Sequence, residues 1–471
     1  MIYNNLTYKM RVFLARLVVV ALSVASIGYL FPDNQVYAEP STTETSDSKS
    51  VWPVAPDITS GSAILIDADT GAILYEKNAH ETGYPASTTK ILTGLLVIEN
   101  CNLEDIVTFS REAAESVAYD EANLGTRKGE QYTVEQALYG LLLHSANEIA
   151  YGLAEHVSGS VDAFVEIMNA RAKEMGALDT NFVNASGLHN DNHYTTPYDM
   201  AMIARGCYNN TTFVNIDSTS STYIIPPTNK MSYKRYVRHR HEMLKGREYY
   251  YEYCRGGKTG YTSNADYTLV TFAEKNGMRL ICVCFQSGED TRFTDTRALF
   301  DWGFENFEKV TASSSDISSI FSTNNLYNSK VFNNYNYRFN ISTSTLTLPD
   351  NISVGDITMD VAKDSVSTTT DGVYTANINY KYKDYTVGIA KLTIASSDNF
   401  AASSNLPYKI TDDENIPKAK NRFSINIWWL VLAGVMLLIL MYAIMELKHR
   451  RKHRHVRRTV KKHRRVNISR K

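Results

Sequence analysis

The stretch that most restricts this chain reads Tyr84-Pro85-Ala86-Ser87-Thr88-Thr89-Lys90 and continues as Ile91-Leu92-Thr93-Gly94-Leu95-Leu96. Proline fixes its backbone φ and an apolar run follows, so the pattern predicts a turn that opens a helix, with Ser87 at or near the first residue. On a helix, positions three apart share a face, which sets the Ser87 hydroxyl beside the Lys90 amine. A serine hydroxyl is a weak nucleophile at neutral pH and needs an unprotonated base within hydrogen-bond reach. Lysine meets that need only where burial or a second cation lowers its pKa. The pair is thus a candidate activated nucleophile; the competing reading is a helix N-cap serine that needs no neutral lysine.

Two further elements follow in order. His144-Ser145-Ala146-Asn147 closes an apolar helix-like run over 137–143, and Gly256-Gly257-Lys258-Thr259-Gly260-Tyr261-Thr262 opens a strand-like run. Ser145 lies 58 residues after Ser87, and Lys258 a further 113 on. Ser-x-x-Lys, Ser-x-Asn and Lys-Thr-Gly, in that order, form the motif set of penicillin-binding proteins and class A β-lactamases. The chain most resembles the low-molecular-weight penicillin-binding proteins, the serine-type D-alanyl-D-alanine carboxypeptidases of bacterial cell walls. The likeness extends through Gly61-Ser62-Ala63-Ile64-Leu65-Ile66-Asp67, Gly187-Leu188, the run from Tyr194 to Ala201, and Met278-Arg279-Leu280-Ile281. It covers the chain from Val54 to Phe307.

That resemblance implies a role for each residue. Ser87 attacks the carbonyl between two D-alanines and becomes an acyl-enzyme, with Lys90 taking its proton. Ser145 passes a proton to the leaving amine, and Asn147 holds the substrate backbone. Lys258 and Thr259 bind the free C-terminal carboxylate, and the Lys258 charge helps keep Lys90 unprotonated. Gly260 lets substrate lie along the strand edge. The backbone N–H groups of Ser87 and Tyr261 form an oxyanion hole, and Arg279 supports carboxylate recognition from the neighbouring strand. His144 is left as structural. The implied partners are peptidoglycan stem peptides, with β-lactam antibiotics as inhibitors; no metal or organic cofactor is called for. Relatives usually have glycine where Asp266 stands, and an asparagine-rich segment where His239-Arg240-His241-Glu242-Met243-Leu244 stands. The basic stretch from Arg235 to His241 is an alternative contact for wall polymers.

Competing functions share these motifs. A class A β-lactamase adds a deacylating Glu in a Glu-x-x-Leu-Asn segment, and no Leu-Asn pair occurs in this chain. A cross-linking D,D-transpeptidase is disfavoured, but not excluded, by the lack of a large N-terminal module; an endopeptidase using the same motifs stays open, and a catalytically silent wall-binding protein would keep the fold alone.

The surrounding chain fits an exported, anchored enzyme. Lys9, Arg11 and Arg16 precede an apolar run over 17–31, and Val36-Tyr37-Ala38 offers the small residues of a signal-peptidase site, so residues 1–38 read as a signal peptide, the competing reading being an uncleaved N-terminal membrane anchor. Residues 39–53 lack periodicity and read as a flexible spacer. The runs 63–66 and 72–75 read as a hairpin that backs the Ser87 helix. Residues 101–184 read as mainly helical, and 267–273 and 279–285 as strands joined by Lys275-Asn276-Gly277. With a closing helix near 294–307, residues 54–310 form an α/β (α+β) three-layer catalytic domain on a mainly antiparallel sheet; the resemblance makes it the penicillin-binding-protein/β-lactamase-like transpeptidase fold. A Ser/Thr/Asn-rich segment at 311–325 reads as a linker. Alternation at Ile357/Met359/Val361 and Tyr374/Ala376/Ile378/Tyr380/Tyr382 then predicts a small all-β domain over 326–405.

Residues 425–445 carry no charge and include Trp428 and Trp429, which predicts a single transmembrane helix. The tail over 446–471 holds 13 Lys+Arg against one Glu, and so should stay in the cytoplasm with the catalytic domain outside the cell. Residues 1–38 sum to +2, so the formal charge of −1 for the whole chain leaves the body at −15. An acidic body argues against nucleic acid as a partner. The five cysteines show neither metal-ligand spacing nor a disulfide framework, and Cys282 and Cys284 should share one face of a strand in the core.

Overall fold

The computed structural model describes residues 52–118, 121–313, 315–317, 337–362, 367–368 and 374–396. The predicted signal peptide, transmembrane segment 425–445 and basic tail lie outside the described residues, as do nearly all of the spacer and most of the linker. Among the described residues no helix is long and apolar enough to cross a membrane.

The predicted first hairpin is present as β1 (Ser62–Asp67) and β2 (Ile73–Lys77). A 3-10 turn, Ala86–Thr89, then leads into α1 (Lys90–Asn100). Four helices that matter for the site follow: α2 (Val134–Leu142), α3 (Asn147–Ser158), α4 (Val161–Glu174) and α5 (Pro197–Tyr208). The short α6 (Thr211–Asp217) precedes three long strands, β3 (Cys254–Thr262), β4 (Asp266–Lys275) and β5 (Met278–Ser287), and α7 (Thr291–Asn306) closes the domain.

Local sequence sets several of these boundaries. Thr133 and Gln136 form a reciprocal capping box at the start of α2, satisfying two backbone donors that a helix end leaves unpaired. The Thr196 side chain accepts the Asp199 N–H ahead of Pro197 at the start of α5. Asn276 and Gly277 both adopt left-handed φ, 52° and 80°, as a tight hairpin turn between β4 and β5 requires.

The five strands pair antiparallel throughout in the order β2-β1-β5-β4-β3. Every residue of β1 is buried, which happens only when both faces of a strand are covered. Ile64 and Ile66 join the cluster formed with α1, α2, α3 and α5. On the other face Leu65, Leu74 and Leu280 close on Gly303 of α7. The layers are therefore α7, sheet and helical lobe, with α1 in the lobe's interior. Cys282 and Cys284 share one face, their sulfurs 3.8 Å apart, both buried.

Beyond α7 the described chain is mostly strand. Phe307–Thr311 pairs with Thr345–Pro349, so a continuous strand runs through the predicted boundary at 310. A second sheet takes the order Tyr337–Ile341, Tyr385–Ser396, Tyr374–Tyr382, Thr358–Val361. In it Ala376, Ile378, Tyr380 and Tyr382 are buried while Asn377 is exposed, the alternation of a half-covered strand. Both sheets touch the β1–β2 turn: Ile389 N of the second donates to the Thr70 carbonyl at 2.6 Å, and the hydroxyl of Thr347 in the first lies 2.7 Å from that of Thr70.

Candidate active site

Pro85 and Ala86 shape the turn that carries Ser87. Pro85 sits at φ −72°, and Ala86 is forced to a left-handed φ of 49°, which costs a residue with a Cβ free energy. Hydroxyl groups hold the bend in place. Thr88 and Thr268 both donate to the Pro85 carbonyl, at 2.7 and 2.9 Å, and Thr89 donates to the Ala86 carbonyl at 2.8 Å. His193 backs Thr89 from behind, with Nε2 2.9 Å from the threonine oxygen; burial pushes this imidazole down to about 4, so it is neutral at physiological pH. Strand β3 lies directly on the turn. A Cβ at Gly260 would come within 2.9 Å of Ser87 N and closer still to the Thr268 hydroxyl, so only glycine fits.

Lys90, fully buried in the first turn of α1, reaches three oxygens. Its Nζ lies 2.9 Å from Ser87 Oγ, 2.6 Å from Asn147 Oδ1 and 2.6 Å from the Ser186 carbonyl. Burial lowers its pKa well below the usual lysine value, and the positive charges of Lys258 and Arg240 lower it further; Glu148 and Glu121 oppose them more weakly. A neutral amine has two N–H donors and one lone pair. The amide oxygen and the carbonyl can only accept, so they take both donors, and the lone pair is left facing the Ser87 O–H.

Ser145 occupies the connection between α2 and α3, at a left-handed φ of 66° and almost fully buried. Asn147 begins α3 and links Lys90 to Glu121 through the two ends of its amide, the Nδ2 bond to Glu121 measuring 3.4 Å. On β3, Lys258 is buried and donates to the Thr259 carbonyl at 2.9 Å. Burial, reinforced by Arg240, lowers its ammonium to about 7, and Asp217 acts in the opposite sense. Tyr261 is 57% exposed, with its ring 4.5 Å from that of Tyr267. The structure thus brings Ser87, Lys90 and Asn147 into contact and lays β3 against the nucleophile turn.

Arg279 is not part of this constellation. On the sheet Lys258 stands opposite Val270, and Val270 opposite Val283, four residues along β5 from Arg279, or about 13 Å at the usual strand rise. The Arg279 guanidinium is tied instead to Asp69, to Asn209 Oδ1 at 2.7 Å and to the Tyr208 carbonyl at 3.2 Å, and Lys309 joins the same Asp69. Its role in carboxylate recognition is therefore corrected to a structural one.

Two arginines that the sequence reading did not single out lie nearer. Arg292, in the first turn of α7, lies over the Tyr267 ring at 4.3 Å, and its Nε is buried without a hydrogen-bond partner. Arg240 bonds through its backbone N–H to the Leu143 carbonyl and projects its charge on Lys90, Lys258 and His144. The signal for Arg240 was an alternation within its basic stretch. Arg235, Val237, His239 and His241 point inward, whereas Tyr236, Arg238 and Arg240 point outward. Arg235 is spent on a buried pair with Glu130 at 2.8 Å. The stretch is accordingly no continuous basic surface for wall polymers. Asp266, where glycine is usual, sits at a left-handed φ of 53°, a conformation glycine adopts without strain.

A serine beside a buried lysine of lowered pKa, at the seam between a helical lobe and an antiparallel sheet with a lysine strand closing the cleft, defines the penicillin-binding-protein and transpeptidase class of fold. Within that class the chain belongs to the D-alanyl-D-alanine carboxypeptidase family, whose sequence profile matches residues 49–288. It is 35% identical over 253 residues to the D-alanyl-D-alanine carboxypeptidase DacF of Bacillus subtilis, a match covering 52% of this chain and 62% of that one. Less than two thirds of that relative is thus spanned. Among solved structures, a DD-transpeptidase of Streptomyces is 29% identical with a TM-score of 0.50, covering 54% of this chain and all of the other. Penicillin binding protein 6B of Escherichia coli shares the fold at 24% identity and a TM-score of 0.53, over 73% of this chain and 98% of its own.

Proposed function

We propose that the protein is a serine-type D-Ala-D-Ala carboxypeptidase acting on peptidoglycan pentapeptide stems, and that β-lactams acylate the same serine. The observation that carries the reading is Lys90, buried with its pKa lowered, and its Nζ 2.9 Å from Ser87 Oγ. Ser87 Oγ attacks the carbonyl carbon between the two D-alanines as its proton passes to Lys90 Nζ. The oxyanion is held by the N–H groups of Ser87 and Tyr261, which the contact of Gly260 with the nucleophile turn brings near each other. The C–N bond breaks as Ser145 hands a proton to the departing amine, and D-alanine leaves. Water then cleaves the Ser87 ester. Asn147 positions the substrate backbone, and Lys258 with Thr259 binds the terminal carboxylate, with Arg292 the better placed arginine to assist.

Incubation with penicillin followed by intact-mass measurement tests the nucleophile. Wild-type protein should gain one penicilloyl group and Ser87→Ala none; a full adduct on the variant would end the assignment. A second reading, D,D-transpeptidation, is favoured by the likeness to the Streptomyces DD-transpeptidase. Product analysis with a pentapeptide muropeptide separates the two, since trimming yields tetrapeptide and D-alanine in equal amounts, whereas joining yields cross-linked dimer.

The same proposal includes a signal peptide over 1–38, a membrane helix over 425–445 and a cytoplasmic tail, supported by the charge pattern. It also takes 326–405 as a small β domain. The second sheet supports this, as does a fold likeness to penicillin binding protein 6B that spans more of the chain than the family profile does.

A further inference from the structure

Strand β3 enters the site through an unusual bend. Gly256 and Gly257 have φ of 119° and 139°, a region closed to side chains, and the pairing register slips between Cys254 and Gly256. Asp217, the last residue of α6 and fully buried, lies under this bend. Its Oδ2 accepts the Gly257 N–H at 2.6 Å, one residue before Lys258. Its Oδ1 lies 3.4 Å from His239 Nε2, an ion-pair distance, and both atoms are buried without a hydrogen-bond partner. His239 Nδ1 accepts the His241 N–H at 3.1 Å, so the ring proton resides on Nε2, the nitrogen nearer the carboxylate. His241 is spoken for in the same way: Nδ1 accepts from Met243 N at 3.3 Å, leaving Nε2–H for the Thr271 hydroxyl at 2.9 Å.

We propose that Asp217 and His239 are positioning residues for Lys258, a buried carboxylate–imidazole pair that fixes the backbone turning Lys258 into the cleft and places a negative charge beneath it. The proposal rests on the reading of Lys258 as the carboxylate anchor. The titratable and charged groups around Lys258 are Lys90 from α1, His144 from the α2–α3 connection, Arg240 and His241 from the segment before β3, and Asp217 from α6. Asp217 is the one carboxylate among them in the described residues. Burial and Arg240 drive Lys258 toward the neutral form, and Asp217 resists. Removing that charge disfavours the cation, so the carboxylate anchor is lost at a lower pH. Neither residue of the pair touches substrate; both act through Lys258.

The test is kcat and KM of the full chain for a peptide ending in D-Ala-D-Ala, measured from about pH 5.5 to about pH 9. Asp217→Asn keeps an oxygen for the Gly257 N–H and loses the charge. Its KM should rise with increasing pH, the alkaline limb of kcat/KM moving down by about one unit while kcat changes less. His239→Leu should move the limb the same way, and His239→Gln, which retains an N–H donor, should recover most of the shift. A loss of the same factor at every pH for Asp217→Asn would reduce the pair to packing and overturn the proposal. Should that variant not fold, an unmoved limb in His239→Leu overturns it equally. Lys258→Ala separates the two levels of argument, with a C-terminally amidated peptide as comparison. If this variant still prefers the free acid as wild type does, the anchor reading fails and the proposal with it. If the preference is lost yet the limb in Asp217→Asn stays put, the pair alone is refuted.

Discussion

Lys90 can take a proton only if it arrives without one, and its surroundings work against the ammonium in two ways. Burial removes water from the charge, and Lys258 and Arg240 repel it; the nearby Glu148 and Glu121 do not restore it. Lys258 faces the opposite demand, since a neutral amine binds a carboxylate poorly, yet its own value is lowered to about 7. The two requirements define the pH profile of the free enzyme: kcat/KM should rise as Lys90 loses its proton and fall as Lys258 loses its own near pH 7. The two lysines interact, so the limbs belong to the pair rather than to either group. A bound carboxylate favours the charged Lys258, so the falling limb should lie at higher pH in kcat than in kcat/KM. Rate measurements across pH under both conditions check this, and a falling limb at the same pH in the two would contradict it. Arg279 shows what sequence could not convey at this scale. A strand arginine near a cleft in sequence is placed by its partners, and Asp69, Asn209 and Tyr208, from two remote segments, draw it to the far end of the sheet.

At the scale of elements, the seam between the nucleophile turn and β3 decides whether the site exists. Gly260 packs against Ser87 N and the Pro85 carbonyl, and the Thr268 hydroxyl ties β4 to the same carbonyl. Gly260→Ala should therefore push β3 away from the turn, costing about 1–3 kcal/mol through overpacking. Acylation should slow by about a hundredfold, as expected for a misplacement of roughly 1 Å. Penicillin acylation rates alongside a thermal melt would check both, and unchanged acylation would show that the seam is looser than the contacts indicate. Elements with strong local signals were legible in the sequence: the 63–66 and 72–75 hairpin, the helix-like run at 137–143, and the Asn276-Gly277 turn all stand where the residues predict. The left-handed backbone at Ala86 and Ser145 was not, because neither residue type favours it. Surrounding hydrogen bonds and packing impose that geometry. Arg240 and Arg292 were missed for a related reason, since each is brought to the site by a segment whose position depends on the assembled sheet.

For the whole molecule, the separation of charge along the chain bears on where the enzyme works. The body carries a formal −15 and the last 26 residues +12, with 21 uncharged residues at 425–445 lying ahead of the basic tail. At about 1.5 Å per residue the membrane helix proposed for this segment would be about 31 Å long, matching a hydrocarbon core of about 30 Å. Dense Lys and Arg beside a span are retained on the cytoplasmic side, whereas Asp and Glu have little influence on orientation, so in the proposed topology the tail rather than the acidic body sets the direction. Protease added to intact protoplasts of cells producing the full chain should accordingly remove the catalytic domain and leave a protected fragment that carries Lys471. Replacing the Lys and Arg of 446–471 with Gln should weaken that orientation and expose the C-terminus in part of the population. An epitope at Lys471 that is digested from outside in the unaltered chain would reverse the topology, and with it the account of how Ser87 meets its substrate.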